Sequence, residues 1–493
     1  MITQLPILQV VIPLIAAPLM VLLRHGTAAW LLAVGVSWAS LAIALGLLSE
    51  VAGGGLVSYA LGSWPPPWGI EYRVDSVNAY LAVIVSMVAA VVVVYMRRSV
   101  AEEVPQEHHY LFYSMYALCL AGLLGIALTG DGFNMFVFFE ISSLATYVLI
   151  ALGRDRRALM AAYQYLIMGT IGATFFVIGV GLLYLMTGTL NLADMAARLP
   201  DVTDPRPVLA ALAFITVGVS LKLALFPLHL WLPNAYAYAP SAVTAFLAAT
   251  ATKVSVYVLL RFYFSVFGET AVFRALPMGS ILLALSLAAV FVASVVAIFQ
   301  GNVKRMFAYS SVAQIGYITL GVSFDSATGL TAGIVHLFNH ALTKGALFLL
   351  LGGIALRAAA MRFDDLRGMG RLMPLTSFGI VLGGLSLIGV PGTVGFVSKW
   401  YLVVAALEQG AWWIAFLVVA GSLLALAYVW RFVEAAYFHA PDPKMAAGPG
   451  EAPLSMLVPA WLMIAACVYF GLDTGLTLGG AGEAAQVLLK GKW

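Results

Sequence analysis

The chain has 493 residues, of which 62% are hydrophobic and only 10% are charged, with a formal net charge of +3. Its mean hydropathy of +0.99 excludes a soluble domain, because one core cannot bury so much apolar surface. The apolar stretches are long and nearly continuous, which favours membrane-spanning helices over the alternating pattern of a β-barrel. We therefore predict an all-α polytopic membrane protein.

The apolar runs, taken in chain order, predict about fourteen spans, since about 20 apolar residues cross a bilayer as a helix. The first run, Leu5 to Leu23, has no basic segment before it and no small-residue cleavage site, so we interpret it as a first span and not as a signal peptide. The predicted spans are 6–23, 28–49, 76–96, 109–129, 133–152, 162–187, 207–231, 241–263, 279–300, 305–323, 328–356, 374–406, 411–438 and 454–473.

Lysine and arginine are unevenly distributed over the predicted loops. Loops after odd-numbered spans, counted together with the adjoining span ends, hold fourteen of them, including Lys304 and Lys444. Those after even-numbered spans hold five, including Arg261. Basic residues accumulate on the cytoplasmic side of a membrane. We therefore predict that the odd loops are cytoplasmic and that both termini are external or periplasmic, although Lys490 and Lys492 at the C-terminus oppose this orientation.

Four lysines lie inside predicted spans, several turns from the predicted helix ends: Lys222, Lys253, Lys344 and Lys399. Only one acidic residue, Glu140, lies near the middle of a span. A structural tether, or a side chain that reaches the membrane interface, explains any single member of this set. It does not explain all of them, because a charged side chain at the centre of a bilayer is costly and typically marks an ion pathway.

Two histidines accompany one of these lysines at intervals of four residues. His336, His340 and Lys344 therefore share one face of the eleventh predicted span. Burial disfavours the charged form of a lysine and a nearby carboxylate favours it, whereas histidine exchanges its proton near neutrality. The set thus has the chemistry of a proton relay. His229, near the end of the seventh span, is a candidate for proton access, with a structural role as the alternative.

Two of the lysines, Lys222 and Lys399, share their predicted spans with helix-breaking residues. These residues are Pro227, Pro233, Pro391 and Gly392. Broken helices at corresponding positions of two halves indicate inverted repeats with an ion site at each break. We predict two inverted five-helix repeats, spans 4–8 and 9–13, with spans 7 and 12 broken. The predicted units are 1–100 with the first three spans, 101–270 and 271–440 with the two repeats, and 441–493 with the fourteenth span and the tail.

Other residue types give no sign of cofactor or metal chemistry. Cys119 and Cys467 each lie alone in an apolar span, as is typical of buried packing residues. The sequence has no C-x-x-C cluster, no G-x-G-x-x-G before a helix and no P-loop. We therefore expect no catalytic residue, no cofactor and no metal site in this chain, so that any redox centre would belong to a partner.

Three segments closely resemble the antiporter-like subunits of respiratory complex I, membrane-bound hydrogenases and Mrp-type cation/proton antiporters. They are LKLALFPLHLWLPNAYAYAPSAVTAFLAATATKVSVYVLLR, GNVKRMFAYSSVAQIGY and GIVHLFNHALTKGALFLLLG. The resemblance covers nearly the whole chain and implies fourteen helices with inverted repeats in a prokaryotic cell (inner) membrane. It implies that Glu140 pairs with Lys222 and that Lys253 is the central relay. The remaining relay residues would be His336, His340, Lys344 and Lys399.

Within this family, the D-type subunit of Mrp antiporters, or its counterpart in a membrane-bound hydrogenase-like complex, fits best. Lysine at position 399 argues against the middle pump of complex I, where the family pattern has glutamate, and the chain stops after the fourteenth predicted span. The implied function is proton movement within a Na⁺/H⁺ antiporter. We expect its partners to be other membrane subunits, lipid, protons and Na⁺, and we expect no nucleic acid.

An alternative stays open: a proton- or ion-pumping membrane subunit of a redox-driven complex, such as a membrane-bound hydrogenase or a complex I-like NADH dehydrogenase. A transporter of organic solutes is a weaker alternative, because the spans offer few polar groups besides the ionisable series, and these lie at spaced depths. The proteins that copurify with the chain would separate the first two readings, since only a redox-driven complex would contain iron–sulfur proteins.

Overall fold

The computed structural model describes residues 2–274, 276–358, 361–441 and 450–491. Its architecture is almost entirely helical, which confirms the predicted all-α membrane fold. Lys444 and Lys492, which enter the charge comparison, lie outside the described residues. The α-helices are α1 (Leu5–Leu23), α2 (Gly26–Val51), α3 (Ser76–Glu103), α4 (His109–Leu128), α5 (Gly132–Ala151), α6 (Arg157–Thr187), α7 (Leu192–Arg198), α8 (Pro205–Leu223), α9 (Trp231–Tyr238), α10 (Ser241–Ala249), α11 (Ala251–Leu260), α12 (Met278–Ile298), α13 (Val303–Ser323), α14 (Ala327–Ala355), α15 (Met369–Leu372), α16 (Pro374–Ile388), α17 (Val394–Glu408), α18 (Trp412–Val433), α19 (Leu454–Leu472) and α20 (Gly475–Leu489).

Shorter elements connect these helices. One antiparallel hairpin, β1 (Val57–Ala60) and β2 (Glu71–Val74), joins α2 to α3, with Val57 opposite Val74. The 3-10 turns are Ile2–Gln4, Leu61–Ser63, Gln106–His108, Leu199–Asp201 and Asp364–Leu366, and the π-helical turns are Arg261–Val266, Thr270–Arg274 and Glu434–Phe438.

Within the described residues, twelve helical segments are long and apolar enough to cross a membrane, and a bent pair would make a thirteenth. Twelve of the fourteen predicted spans correspond to these segments. The predicted span 305–323 corresponds to α13, which is long enough but carries more polar residues. The predicted span 374–406 is two helices of 15 residues, α16 and α17, separated by a break.

The helix α14 is the centre of the molecule and is buried along its membrane-spanning length. Helices from both halves of the chain pack against it, namely α3, α10, α13, α16, α17, α19 and α20. The outer helices α1, α2, α6, α12 and α18 bury only part of their surface and leave apolar side chains exposed, as expected where lipid or another membrane protein replaces water.

Two glycines allow the backbones of α6 and α8 to approach closely. A methyl group at Gly218 would lie 2.6 Å from the carbonyl oxygen of Gly172, and one at Gly172 would lie 3.0 Å from that of Gly218. Small residues of this kind permit tight helix packing in membranes. The contact lies one turn from Lys222, so it fixes the height and rotation of α8 where the first lysine projects.

Arg261 does not lie in an external loop, as the charge comparison assumes. It begins the π-helical turn that continues α11 and is fully buried. Its guanidinium donates to the carboxylate of Asp75, which caps the start of α3, and to the hydroxyl of Tyr257 at 3.1 Å. This ion pair could not be predicted from the sequence, because Asp75 lies 186 positions before Arg261. The loop assignment of Arg261 is therefore wrong.

Candidate functional site

Glu140 and Lys222 meet between α5 and α8. The Lys222 Nζ lies 4.0 Å from Glu140 Oε1 and donates a hydrogen bond to Ser143 Oγ at 2.6 Å. Glu140 and Ser143 are three residues apart, so both project from the same face of α5. The lysine side chain is 5% exposed and the glutamate 27% exposed. Lys222 thus lies inside the protein, and the glutamate side chain is partly exposed although the Oε1 atom that faces Lys222 is buried.

Lys222 lies one residue before the end of α8, and not several turns from a helix end as the sequence suggested. The helix ends at Leu223 because Ala224 adopts a left-handed conformation with φ of 61°. The indole of Trp231 donates to the freed carbonyl of Leu221 at 2.8 Å. Pro227 lies in the segment between α8 and α9, whereas Pro233 lies within the first turn of α9, where a proline is tolerated.

Lys253 is fully buried near the start of α11. Thr250, with φ of −125° and ψ of −60°, separates α10 from α11, so the eighth span is also interrupted. The ammonium of Lys253 donates to the carbonyl of Ala248 at the end of α10 and to Thr252 Oγ1 at 3.3 Å. The sequence contains neither proline nor glycine at this break, which is why sequence reasoning missed it.

His336 joins three helices. Its Nδ1 lies 2.8 Å from Ser398 Oγ on α17 and its Nε2 lies 3.0 Å from Gln314 Oε1 on α13. Both ring nitrogens therefore have polar partners, and the tautomer depends on which of them donates. Asn339 donates to Ser398 as well, at 3.0 Å, which holds the serine in place.

His340 is one turn along α14 from His336, and the two rings are nearly parallel with centroids 6.5 Å apart. It is buried, and neither ring nitrogen has a hydrogen-bond partner within the described part of the chain. Three ionisable groups are close enough to act on it electrostatically: Lys253, Lys344 and His336. A buried polar group normally has a partner, often an ordered water molecule.

Lys344 lies one further turn along α14 and is fully buried. Its ammonium donates to the carbonyl of Phe307 at 2.8 Å and to the hydroxyl of Ser310, both on α13. The aromatic rings of Phe307 and Phe348 lie within 6.0 Å of the ammonium. The three members of the predicted series on α14 thus share one buried face, on which His336 contacts α13 and α17 and Lys344 contacts α13.

Lys399 lies on α17 and reaches back to the end of α16. Its ammonium donates to the carbonyls of Leu387 at 2.8 Å and Ile388 at 3.0 Å, and to Ser422 Oγ at 3.0 Å. It also lies 4.6 Å from the ring centre of Tyr317. Pro391 and Gly392 both lie in the break between these two helices.

Helix breaks place Lys253 and Lys399 next to peptide carbonyls that have no hydrogen-bond partner within their own helix. The last carbonyls of a helix have no partner within that helix and carry the negative end of its dipole, so they stabilise a cation. Lys253 contacts the end of α10 and Lys399 the end of α16, in each case across a break. The chain therefore holds ammonium groups inside the membrane with few carboxylates.

His229 lies between α8 and α9 and is 7% exposed. Its ring stacks on Phe226 with centroids 5.3 Å apart and contacts the ring of Tyr309 at 6.2 Å. Its Nδ1 has no hydrogen-bond partner among the described residues. The structure does not bring His229 into contact with Lys222, so its role in proton access stays a prediction.

Several polar partners were not singled out from the sequence, because serine, glutamine and asparagine are common in membrane helices and usually bond to the backbone. They are Ser143, Gln314, Ser398 and Ser422. Their only sequence signal is helical spacing, as between Glu140 and Ser143. Each of them contacts a member of the ionisable series, so the polar lining of the site is wider than the sequence indicates.

The described residues contain no group of three or more His, Cys, Asp or Glu side chains that could hold a metal ion. Cys119 and Cys467 are free and buried, next to hydroxyls of Thr146 at 3.4 Å and Thr343 at 3.7 Å. The site therefore consists of ionisable side chains, hydroxyls and peptide carbonyls, a set that can bind and release protons.

Residues 129–425 match the family model described as NADH:quinone oxidoreductase/Mrp antiporter, membrane region. The chain belongs to this family. It is 43% identical to the N-type subunit of NADH-quinone oxidoreductase from Desulforudis audaxviator, with 96% of each chain covered. It is 29% identical to the D-type subunit of the Na⁺/H⁺ antiporter from Bacillus subtilis, with 98% of this chain and 97% of the relative covered.

Solved structures show the same fold. A chain of the Mrp complex from Dietzia sp. DQ12-45-1b superposes with a TM-score of 0.90 at 26% identity, covering 99% of this chain and 97% of that one. A chain of the archaeal membrane-bound sulfane sulfur reductase gives a TM-score of 0.89 at 29% identity, covering 99% and 98%. The predicted resemblance to the Mrp D-type subunit within the complex I-like superfamily is therefore confirmed, and the chain is a multi-pass membrane protein of this antiporter-like family.

Proposed function

We propose that this chain translocates protons as one subunit of a larger membrane complex. The observation that carries the proposal is the Lys222 ammonium, buried 4.0 Å from the carboxylate of Glu140. The proposed relay residues are Glu140, Lys222, Lys253, His340, Lys344, His336 and Lys399. The predicted inverted repeats, residues 101–270 and 271–440, would place one broken helix at each end of this series.

The first step depends on the distance between Lys222 and Glu140. A carboxylate close to a buried ammonium favours the charged form, and desolvation favours the neutral amine when that carboxylate moves away. At 4.0 Å the two groups are not in direct hydrogen-bond contact, and Ser143 holds the ammonium from the other side. A small shift of α5 relative to α8 would therefore load or release the proton.

The middle of the relay depends on His340. A histidine can accept a proton on one ring nitrogen and release another from the second, which suits it to transfer between two lysines. Neither of its ring nitrogens has a hydrogen-bond partner among the described residues, so bridging water molecules would have to connect it to Lys253 and Lys344. His336 would continue the path through Ser398 toward Lys399, its neighbour on α17.

Cation/proton exchange is the first candidate for the driving reaction. In support, the chain is similar over almost its whole length to the D-type subunit of a Na⁺/H⁺ antiporter, and the Mrp complex chain superposes with a TM-score of 0.90. In this reading Na⁺ leaves the cytoplasm while protons enter, and the partners are other membrane subunits of the antiporter.

A redox-driven complex is the second candidate. It is favoured by the higher identity, 43%, to a subunit of NADH-quinone oxidoreductase and by the fold shared with the sulfane sulfur reductase chain. In this reading the chain moves protons in the same way, but an oxidoreductase arm on other subunits supplies the energy. Copurified iron–sulfur proteins would favour this candidate, and membrane subunits alone would favour the first.

The common proposal is tested in membrane vesicles that contain the assembled complex. We expect Lys222→Ala and Glu140→Ala each to lower proton flux by about a hundredfold, the typical effect of losing a proton-transfer group. Exposed residues supply matched controls, Lys490→Ala and Glu107→Ala, which should retain the flux. Wild-type flux in both Lys222→Ala and Glu140→Ala, driven by either Na⁺ or the redox reaction, would contradict the proposal.

A further inference from the structure

Two buried amides belong to the hydrogen-bond network of His336: Asn339 on α14 and Gln314 on α13. Both side chains are 2% exposed, and neither can take up or release a proton, because an amide has no titratable group. The third member of the network is Ser398 on α17, which is fully buried. Buried donors need acceptors, so the hydrogens of this network can be assigned one after another.

The assignment starts at the carbonyl of Val394, the first residue of α17. A backbone carbonyl can only accept a hydrogen bond, so the side-chain atom of Asn339 that lies 2.5 Å from it must belong to the NH2 group. The same nitrogen lies 3.0 Å from Ser398 Oγ. Asn339 thus donates one N–H to Val394 and the other to Ser398, and the serine oxygen accepts from Asn339.

Ser398 must donate its own hydrogen to another group. Its Oγ lies 2.8 Å from Nδ1 of His336 and 3.4 Å from the carbonyl of Gly395. Hydroxyl groups donate over about 2.7–2.8 Å in most protein hydrogen bonds, and the longer contact is much weaker. The hydroxyl therefore donates to the ring. In the neutral imidazole, Nδ1 is an acceptor and carries no hydrogen.

The other ring nitrogen of His336 must then carry the hydrogen of the neutral imidazole. Its Nε2 lies 3.0 Å from Oε1 of Gln314, an atom that can only accept. The assignment that starts at Val394 on α17 and the orientation of Gln314 on α13 therefore agree. His336 is held in its Nε2–H tautomer from two sides.

His340, one turn further along α14, is not held in this way. Neither of its ring nitrogens has a partner among the described residues. Those residues therefore select neither of its tautomers. The two histidines look equivalent in the sequence because both follow the helical spacing, but only His336 has a single defined basic nitrogen, and that nitrogen faces α17.

We propose that Asn339 and Gln314 are positioning residues, which fix the tautomer of His336 so that its only basic nitrogen, Nδ1, faces Ser398 and exchanges protons with Lys399. This inference rests on the proposed proton translocation and names the atom through which α14 and α17 are connected. Lys399 is close enough to His336 for their charges to interact. Gln314 closes the Nε2 side, because an amide oxygen accepts a hydrogen bond but does not pass the proton on.

The exchange breaks and forms only N–H and O–H bonds. Lys399 gives a proton to Ser398 Oγ through a bridging water molecule, and Ser398 gives its own hydroxyl proton to Nδ1 of His336. The ammonium becomes a neutral amine, and the imidazole becomes an imidazolium that keeps its N–H on Nε2. The reverse steps return the proton over the same atoms. One proton moves, and no oxidant or reductant takes part.

Asn339→Asp tests the assignment, because it keeps the size of the side chain and removes both N–H donors. The carboxylate would accept from the hydroxyl of Ser398, which then no longer donates to His336. We expect Nδ1 to be unprotonated in the wild type and protonated in Asn339→Asp. Nitrogen-15 NMR of the histidine-labelled complex in proteoliposomes, at alkaline pH where the ring is neutral, distinguishes the two states. The signal of His336 is the one that is lost in His336→Asn.

Proton flux, reported by a pH-sensitive dye inside the proteoliposomes, is the second readout. We expect Asn339→Asp to lower the flux by about a hundredfold, the typical effect of losing a proton-transfer group, because Ser398 no longer connects Nδ1 to Lys399. Asn234→Asp is the matched control. Asn234 lies on α9 and donates to Gln164 at 2.8 Å, so its substitution should keep the wild-type tautomer and flux.

The outcomes separate this inference from the proposed function. A protonated Nδ1 in the wild type, or an unprotonated one in Asn339→Asp, would overturn the inference. Wild-type flux in Asn339→Asp would also overturn it, and if Lys222→Ala is inactive in the same assay, the relay stands. Wild-type flux in both variants would overturn the inference and the proposed function together.

A second variant decides if Asn339→Asp assembles poorly. Gln314→Met has a similar length and removes only the acceptor of the Nε2–H group. We expect part of the His336 population to change to the Nδ1–H tautomer, which would appear as a second signal in the same NMR spectrum. A single signal from the Nε2–H tautomer in Gln314→Met would show that the amides do not select the tautomer, and would overturn the inference.

Discussion

The two broken spans hold their lysines in different ways. Lys222 lies 4.0 Å from a carboxylate that is partly exposed, whereas Lys399 contacts two peptide carbonyls, a hydroxyl and the ring of Tyr317. A carboxylate on a separate helix can approach or withdraw, but the end of α16 belongs to the same broken span as Lys399. For the proposed relay, this difference predicts that the Lys222 site can switch and that the Lys399 site is fixed.

The largest expected difference concerns charge reversal at Lys399. Lys399→Glu would place a carboxylate against the carbonyls of Leu387 and Ile388, where an uncompensated buried charge costs about 3–5 kcal/mol. We expect a marked loss of assembled complex, measured by size-exclusion chromatography in detergent. Lys399→Gln, which can still donate hydrogen bonds to these carbonyls, is the control and should assemble normally. Normal assembly of Lys399→Glu would show that the end of α16 does not define the site.

Proton flux should respond to Lys399→Gln in spite of normal assembly. Without an ionisable group, the last site cannot accept a proton, so we expect a decrease of about tenfold or more, or about 1.4 kcal/mol in the barrier. The measurement is dye-reported flux in proteoliposomes. Exposed Lys490 again supplies the control, as Lys490→Gln. Undiminished flux would remove Lys399 from the relay.

Glu140 and Lys222 should show a measurable coupling in the free energy of unfolding. Lys222→Met leaves Glu140 without its cation, and Glu140→Gln leaves Lys222 without its anion, so the double variant should be less destabilised than the sum of the singles. We expect a coupling free energy of about 0.5–3 kcal/mol, toward the lower end because Glu140 is partly exposed. Denaturant unfolding of the four proteins in micelles measures it, and strict additivity would mean that the two groups do not interact.

The smallest expected effects concern the residues that end α8 and α16. Both Ala224 and Gly389 have positive φ, 61° and 91° respectively. A methyl group at Gly389 would also lie 2.9 Å from Cδ of Lys399. We expect Gly389→Ala to destabilise by about 1–3 kcal/mol, and Ala224→Gly to change stability by less than about 1 kcal/mol, since relief of strain offsets lost packing. The same unfolding measurement applies, and equal effects of both substitutions would contradict this difference between the breaks.

Much of this arrangement could be predicted from the sequence. Long apolar runs locate the spans, and the isolated lysines with Glu140 are visible because charges are rare in such runs. Proline and glycine signal the two breaks at Lys222 and Lys399. The pairing of Glu140 with Lys222 came from the family resemblance, and the described contact at 4.0 Å agrees with it.

The rest depends on three-dimensional packing. The eighth span is interrupted at Thr250, where the sequence has neither proline nor glycine. The local sequence therefore does not predict this break. Arg261 and Lys304 look like loop residues because they stand near the ends of apolar runs, yet partners distant in sequence, Asp75 and Ser241, bury them. The two inverted repeats stay a prediction.

The most direct measurement concerns the reach of the carboxylate at position 140. Glu140→Asp keeps the charge but withdraws it from Lys222 by one methylene, so it changes distance alone. We expect proton flux in proteoliposomes to fall by about tenfold, with assembly unchanged and with Glu107→Asp, at an exposed position, as the control. Wild-type flux in Glu140→Asp would contradict a lysine that is loaded and released by the approach of its carboxylate.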